Sequence, residues 1–132
     1  MKKFKAIAKF YLPSKQLRSF INNPDYMADV LGFVSEYDRD RGEFLLKGIS
    51  KLTFGSSRAV TTVLAEGNQT TYRIKGKNFI LNVYFFFEDS LIIEFVGEGR
   101  GFMGKISEFL YRTNFEKYIK YAAKKLREYA GC

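Results

Sequence analysis

Three carboxylates alternate along one short segment, Glu36-Tyr37-Asp38-Arg39-Asp40, which places them on one face of an extended strand. Such a face offers oxygen ligands to a divalent cation. It equally suits a charged strand surface that meets water and is balanced by nearby Lys and Arg, and no metal site is expected. Glu94 and Glu98 complete the acid–base candidates, with Tyr and Ser hydroxyls as helpers. Histidine is absent from all 132 residues, which removes His-based triads, the imidazole general base and most zinc sites. The pattern names no catalytic residue.

Glycine spacing raises a second kind of chemistry. Gly99-Arg100-Gly101-Phe102-Met103-Gly104 follows a strand-like run and opens a helical one, as the dinucleotide fingerprint does. That fingerprint also needs a second parallel strand after the helix and an acidic residue about twenty positions on, and neither is found here. A dinucleotide site is therefore excluded. Three readings stay open: a phosphate received at a helix start beside Arg100 and Lys105, a flexible gate, or a plain turn from strand to helix.

Net charge is +8, from 22 basic and 14 acidic residues, and favours anionic partners such as nucleic acid, anionic lipid or a phosphorylated small molecule. Lys47, Lys51, Arg58, Arg73, Lys75 and Lys77 fall near strand ends or on outward parity, where a rim could meet phosphates. Tyr72-Arg73-Ile74-Lys75 is a fragment of the aromatic–basic alternation that binds single-stranded nucleic acid, yet no RNA-binding signature, zinc finger or helix-turn-helix accompanies it. The one cysteine, Cys132, permits no intrachain disulfide. No leader-like segment is visible, and the apolar runs fall short of the ~20 residues a membrane span needs. A cytoplasmic protein is expected. High Lys and Glu usage with two Gln and no His is a composition found in thermophiles.

The elements that would position these groups follow from periodicity. Residues 3–11 alternate as a strand. Ser14 can cap a short helix carrying Leu17, Phe20 and Ile21, and Pro24 opens a second with Tyr26, Met27, Val30 and Leu31, ended at Gly32. Period two then predicts strands over 34–40, 42–49, 57–65, 70–75, 79–87 and 91–97, joined by hairpin-length turns. Odd-numbered positions of the last two should face inward. From Phe102 to Tyr129 helical spacing returns, with Ile106, Phe109, Leu110, Tyr118, Ile119, Ala122, Leu126 and Tyr129 on one stripe. The expectation is one α+β domain over residues 1–132, a curved antiparallel sheet of about seven strands gripping a long C-terminal helix. With 17% aromatic residues and no Trp, its Phe and Tyr either fill a core or line an apolar cavity.

This order resembles the helix-grip fold of birch-pollen allergens, START lipid-transfer domains and related polyketide cyclases. Tyr11-Leu12-Pro13-Ser14, followed by Phe20-Ile21-Asn22-Asn23-Pro24-Asp25-Tyr26, is similar to that superfamily's entry into its paired short helices. The small basic form looks like an archaeal branch associated with binding acyl-coenzyme A thioesters and with their hydrolysis. The glycine-rich loop of the plant allergens has no counterpart beyond Arg41-Gly42 and Lys47-Gly48. The resemblance implies a cavity between sheet and long helix, walled by Tyr72, Phe85, Phe87, Ile93, Phe95, Phe102, Ile106, Phe109 and Leu110. It implies a fatty acyl-coenzyme A as ligand, with its phosphates on Arg100, Lys105, Arg73 and Lys75 and no other cofactor. Hydrolysis would need a carboxylate to position water and donors to hold an oxyanion. The alternative is a small basic nucleic-acid-binding protein.

Overall fold

The two most apolar segments become the centre of a sheet. The structure, a computed structural model, describes residues 3–131 and side chains from Lys5 onward. Phe79–Phe87 (β6) and Leu91–Gly99 (β7) pair antiparallel, with Phe85 opposite Ile93 and Val83 opposite Phe95. Lys3–Phe10 (β1) adds to the free side of β7. Gln69–Lys75 (β5), Arg58–Glu66 (β4), Glu43–Leu46 (β3) and Val34–Asp38 (β2) follow beyond β6, giving one seven-stranded antiparallel sheet in the order β1-β7-β6-β5-β4-β3-β2. Odd-numbered positions of β6 and β7 face inward and are buried, as the alternation predicts. Lys2, Cys132 and the side chains of Lys3 and Phe4 fall outside the described residues.

Two short helices, Ser14–Ile21 (α1) and Pro24–Val30 (α2), link β1 to β2. Asn23 caps α2 by accepting from the Asp25 N–H at 3.0 Å, ahead of Pro24 in the first turn. Ser14 does not cap its own helix. Its Oγ donates to the Glu88 carbonyl at 2.7 Å and fastens α1 to the β6–β7 turn. Gly101–Ala130 (α4) lies across the concave face against β7, β6 and β1 and touches α1 and α2. Its C-terminal end is clasped: Phe20 stacks on Tyr129 at 5.1 Å, Tyr26 meets both rings edge-on, and Tyr129 Oη donates to Asp29 at 2.8 Å. This is an α+β helix-grip architecture. Among the described residues no helix is long and apolar enough to cross a membrane.

Two features depart from the residue pattern. The strand expected over 42–49 stops at Leu46, and Ser50–Phe54 forms a further helix (α3). Gly48 and Gly55 bracket it at φ 61° and 73°, and five residues are too few for helical periodicity to show. The second departure is the face of α4. Its buried positions are Gly104, Ser107, Tyr111, Ile119, Ala122, Ala123 and Leu126, so the expected stripe holds at the C-terminal end and is rotated at the N-terminal end. The cause is small residues. Gly104 lies against Gly99, where an added Cβ would stand 2.6 Å from the Gly99 carbonyl carbon, so this turn must face the sheet and Ile106 and Phe109 must turn away.

Candidate functional site

The residues expected to wall a cavity divide into two groups. Tyr72, Phe85, Phe87, Ile93 and Phe95 share the concave face as expected, but they are packed core. Rings run through the interior in contact: Phe44 with Tyr72 and Tyr72 with Phe85 at 6.2 Å, Phe54 with Phe79 and Phe79 with Tyr111 at 5.3 Å. Tyr72, Phe85, Ile93 and Phe95 are 0% exposed. A void able to hold one water would give its walls accessible surface. The interior at these side chains is therefore filled. Phe102, Ile106 and Phe109 are exposed on the outer side of α4 and Leu110 is half-buried, so the rotation described above removes them from any inner wall.

The expected phosphate ligands are also dispersed. Inward parity of Tyr72 and Ile74 sends Arg73 and Lys75 to the convex face of β5, while Arg100 and Lys105 are exposed around the start of α4. Two donors of the glycine segment are used within the fold. The Arg100 N–H is taken by the Asn78 carbonyl at 2.9 Å and the Gly104 N–H by the Arg100 carbonyl at 2.8 Å. Gly99 and Gly104 serve close packing of helix on strand, and Gly101 takes the left-handed turn at φ 64°.

The three alternating carboxylates do not share a strand face. β2 ends at Asp38, its register shifts between Val34 and Glu36, and Asp40 lies in the following turn. Asp38 accepts from Arg58 Nη1 at 2.9 Å and from the N–H groups of Asp40 and Arg41. The Arg58 hydrogen bond, aided by the two backbone donors, holds the Asp38 carboxyl below its ordinary value. Glu94 and Glu98 are half-buried on the convex face.

What the fold does assemble is a cleft along one side of α4. A depression of about 440 Å³ is lined by Gly32, Lys47, Gly48, Ile49, Asn114, Lys117, Tyr118 and Tyr121. Three separate segments meet there. Lys47 leaves the end of β3 and Lys117 projects from α4, both exposed. Asn114 Nδ2 donates to the Leu110 carbonyl at 2.8 Å. Tyr118 forms the floor, edge-on to Phe33 at 5.3 Å and with its Oη 3.3 Å from Ser50 Oγ. Gly32 allows the Tyr121 ring to approach, since a Cβ there would stand 3.1 Å from Tyr121 Cδ1. A more polar depression of about 350 Å³ continues past Lys47 and Tyr121 and is lined by Asp25, Asp29 and Glu36 among others. Of these groups, the sequence pattern singles out Lys47 as a rim cation, Tyr118 as an inward ring and Glu36 as an acid–base candidate. Lys117, Asn114 and Tyr121 carry no signal that ties them to Lys47 before the chain folds.

Two lysines over an apolar and aromatic floor can hold an anionic head with its greasy part against the rings. No carboxylate is among the residues lining the 440 Å³ depression. Behind it, Tyr111 Oη is buried with no hydrogen-bond partner, and burial pushes this phenol well above its usual value. Tyr111→Phe should therefore raise stability by about 1 kcal/mol, read as a higher urea midpoint at unchanged slope, because it removes an unpaired buried hydroxyl.

No family model matches this sequence, and no curated protein matches it. Solved structures do. An uncharacterised protein from Bacillus thuringiensis superposes with a TM-score of 0.65 at 9% identity, over 95% of this chain and 98% of that one. The di-domain aromatase/cyclase BexL of the BE-7585A biosynthetic pathway gives 0.65 at 13% identity, with 99% of this chain covering 50% of it. A START superfamily protein from Mycobacterium smegmatis gives 0.56 at 12% identity, over 98% and 97% of the two chains. Identities this low establish a shared helix-grip fold.

Proposed function

We propose that this protein binds an amphiphilic anionic ligand in the cleft between α3 and α4, with a fatty acyl-coenzyme A thioester the leading candidate. The observation that carries the reading is the pair Lys47 and Lys117 above the Tyr118–Phe33 contact. Lysines suit phosphates, and the Tyr118 and Tyr121 rings offer faces to a planar base. The fold is shared with a START superfamily protein and with an aromatase/cyclase, which agrees with a small-molecule role. Because the interior is filled, the acyl chain enters by displacing α3. That helix has five residues and lies between two left-handed glycines, and opening it unpacks Phe54 from Phe33 and Phe79 at a cost of about 2–3 kcal/mol, the burial of one phenylalanine side chain. The archaeal acyl-coenzyme A-binding branch fits this reading, as binding without a built hydrolytic site.

Single-stranded nucleic acid is the second reading, favoured by the convex sheet face. There Tyr84 and Phe86 stack at 6.2 Å, and Arg73 and Lys75 follow along the neighbouring strand opposite Asn82 and Ile80. Glu94, paired with Tyr84 across the sheet, and Glu98 oppose it.

Native mass spectrometry against long-chain acyl-coenzyme A, free coenzyme A, fatty acid and a short oligonucleotide separates the two. The acyl thioester should be retained above both of its halves, and Lys47→Glu with Lys117→Glu should weaken it about tenfold or more, the loss expected for two charge-assisted contacts. Retention of the oligonucleotide alone, or undiminished acyl thioester binding by the variant, would sink the cleft reading.

A further inference from the structure

The first three turns of α4 carry an apolar face with nothing covering it. Phe102 is 79% exposed, Met103 52%, Ile106 43% and Phe109 64%, and their spacing sets them side by side on the helix surface. Leu52 of α3, 66% exposed, belongs to the same end of the molecule, since α3 packs beside α4. The arrangement is built in: Gly104 and Ser107 occupy the inward positions of these turns and leave the large side chains no way in. Scattered apolar residues on a surface are ordinary, but a contiguous strip with two phenylalanines marks an interaction site.

The charges around the strip decide what it meets. Lys77, Arg100 and Lys105 are all exposed at this end. Lys77 is placed there because its neighbour Asn78 accepts from the Arg100 N–H at 2.9 Å and from Ser107 Oγ at 3.3 Å. Glu98 and Glu108, the nearest carboxylates in sequence, are half-buried. A second copy would bring the same three cations against these three, on a molecule already at +8. An anionic surface complements them.

We propose that this end docks reversibly on an anionic lipid surface. Phe102 and Phe109 enter the boundary between headgroups and acyl chains, and Lys77, Arg100 and Lys105 meet the headgroups. The helix lies along the surface and does not cross it.

Sedimentation with vesicles tests this without any acyl thioester present, so the result is independent of what the cleft binds. The full chain should sediment with phosphatidylcholine vesicles containing about a third phosphatidylglycerol, should stay in solution with phosphatidylcholine alone, and should be released by salt. Phe102→Ser with Phe109→Ser should reduce partitioning about tenfold or more while leaving the melting temperature within a few degrees, since both side chains are already exposed. Equal binding to neutral vesicles, or no loss in the double variant, would overturn the proposal. So would analytical ultracentrifugation showing a dimer that the double variant dissolves, because the strip would then be a self-interface.

Discussion

Gly104→Ala should destabilise the protein by about 2–4 kcal/mol, read as a lower urea midpoint. The sign is the informative part. A glycine inside a helix normally costs about 1 kcal/mol relative to alanine, so at an open position the same change would stabilise. Here the new Cβ would stand 2.6 Å from the carbonyl carbon and 3.0 Å from the Cα of Gly99, and those are backbone atoms of a central strand that have no rotamer to change. The same reasoning applies from the other side, where a Cβ on Gly99 would stand 2.7 Å from the Gly104 carbonyl carbon. Either α4 lifts from β7 or the end of β7 bends, and both uncouple helix from sheet where Asn78, Arg100 and Ser107 are joined. Gly101→Ala provides the comparison. Nothing lies within 4 Å of its added Cβ, and its φ of +64° alone should cost about 1 kcal/mol. A rise in midpoint for Gly104→Ala would remove the explanation given for the rotated helix face.

Much of the architecture is legible because it depends on period and turn chemistry. Alternation in 79–87 and 91–99 marks the inner face of β6 and β7, and the Asn-Pro and Gly signals mark the ends of the short helices. The outward face of the first turns of α4 is not legible, because a hydrophobic stripe is weighed by side-chain size. A helix that approaches a strand through Gly104 and Ser107 instead turns its large residues away. α3 escapes for lack of length. The cleft escapes for a different reason: Gly32, Lys47, Asn114 and Lys117 become neighbours only once α2, β3 and α4 have packed, so no spacing along the chain relates them. Parity correctly sends Arg73 and Lys75 outward, and that same parity removes them from the side of the sheet on which the cleft opens.

Tyr72 separates a core reading from a ligand-wall reading by experiment. Its ring is 0% exposed, stacks on Phe44 at 6.2 Å and meets Phe85 edge-on at the same separation. Its Oη donates to the Ile21 carbonyl at 2.5 Å, at the end of α1, while neighbouring Thr70 Oγ1 donates to Asn22 Oδ1. Strand β5 is thus bonded to the first helix pair through the interior. Tyr72→Ala should cost about 3–5 kcal/mol from lost burial and the cavity left behind. Tyr72→Phe keeps the ring and removes the donor, leaving a buried carbonyl unpaired, and should cost about 1–2 kcal/mol. Phe85→Ala, which deletes a ring with no polar link, should resemble Tyr72→Ala and leave the Ile21 contact in place. A side chain that lines an empty binding cavity behaves otherwise: its truncation widens the cavity, alters ligand affinity and changes the unfolding midpoint little. Midpoints within about 1 kcal/mol of the parent for both alanine variants would restore these residues to a cavity wall. The expected large losses would keep Tyr72 and Phe85 as packed core and leave a ligand the depressions at the surface of α4, one against β1 and one against α3.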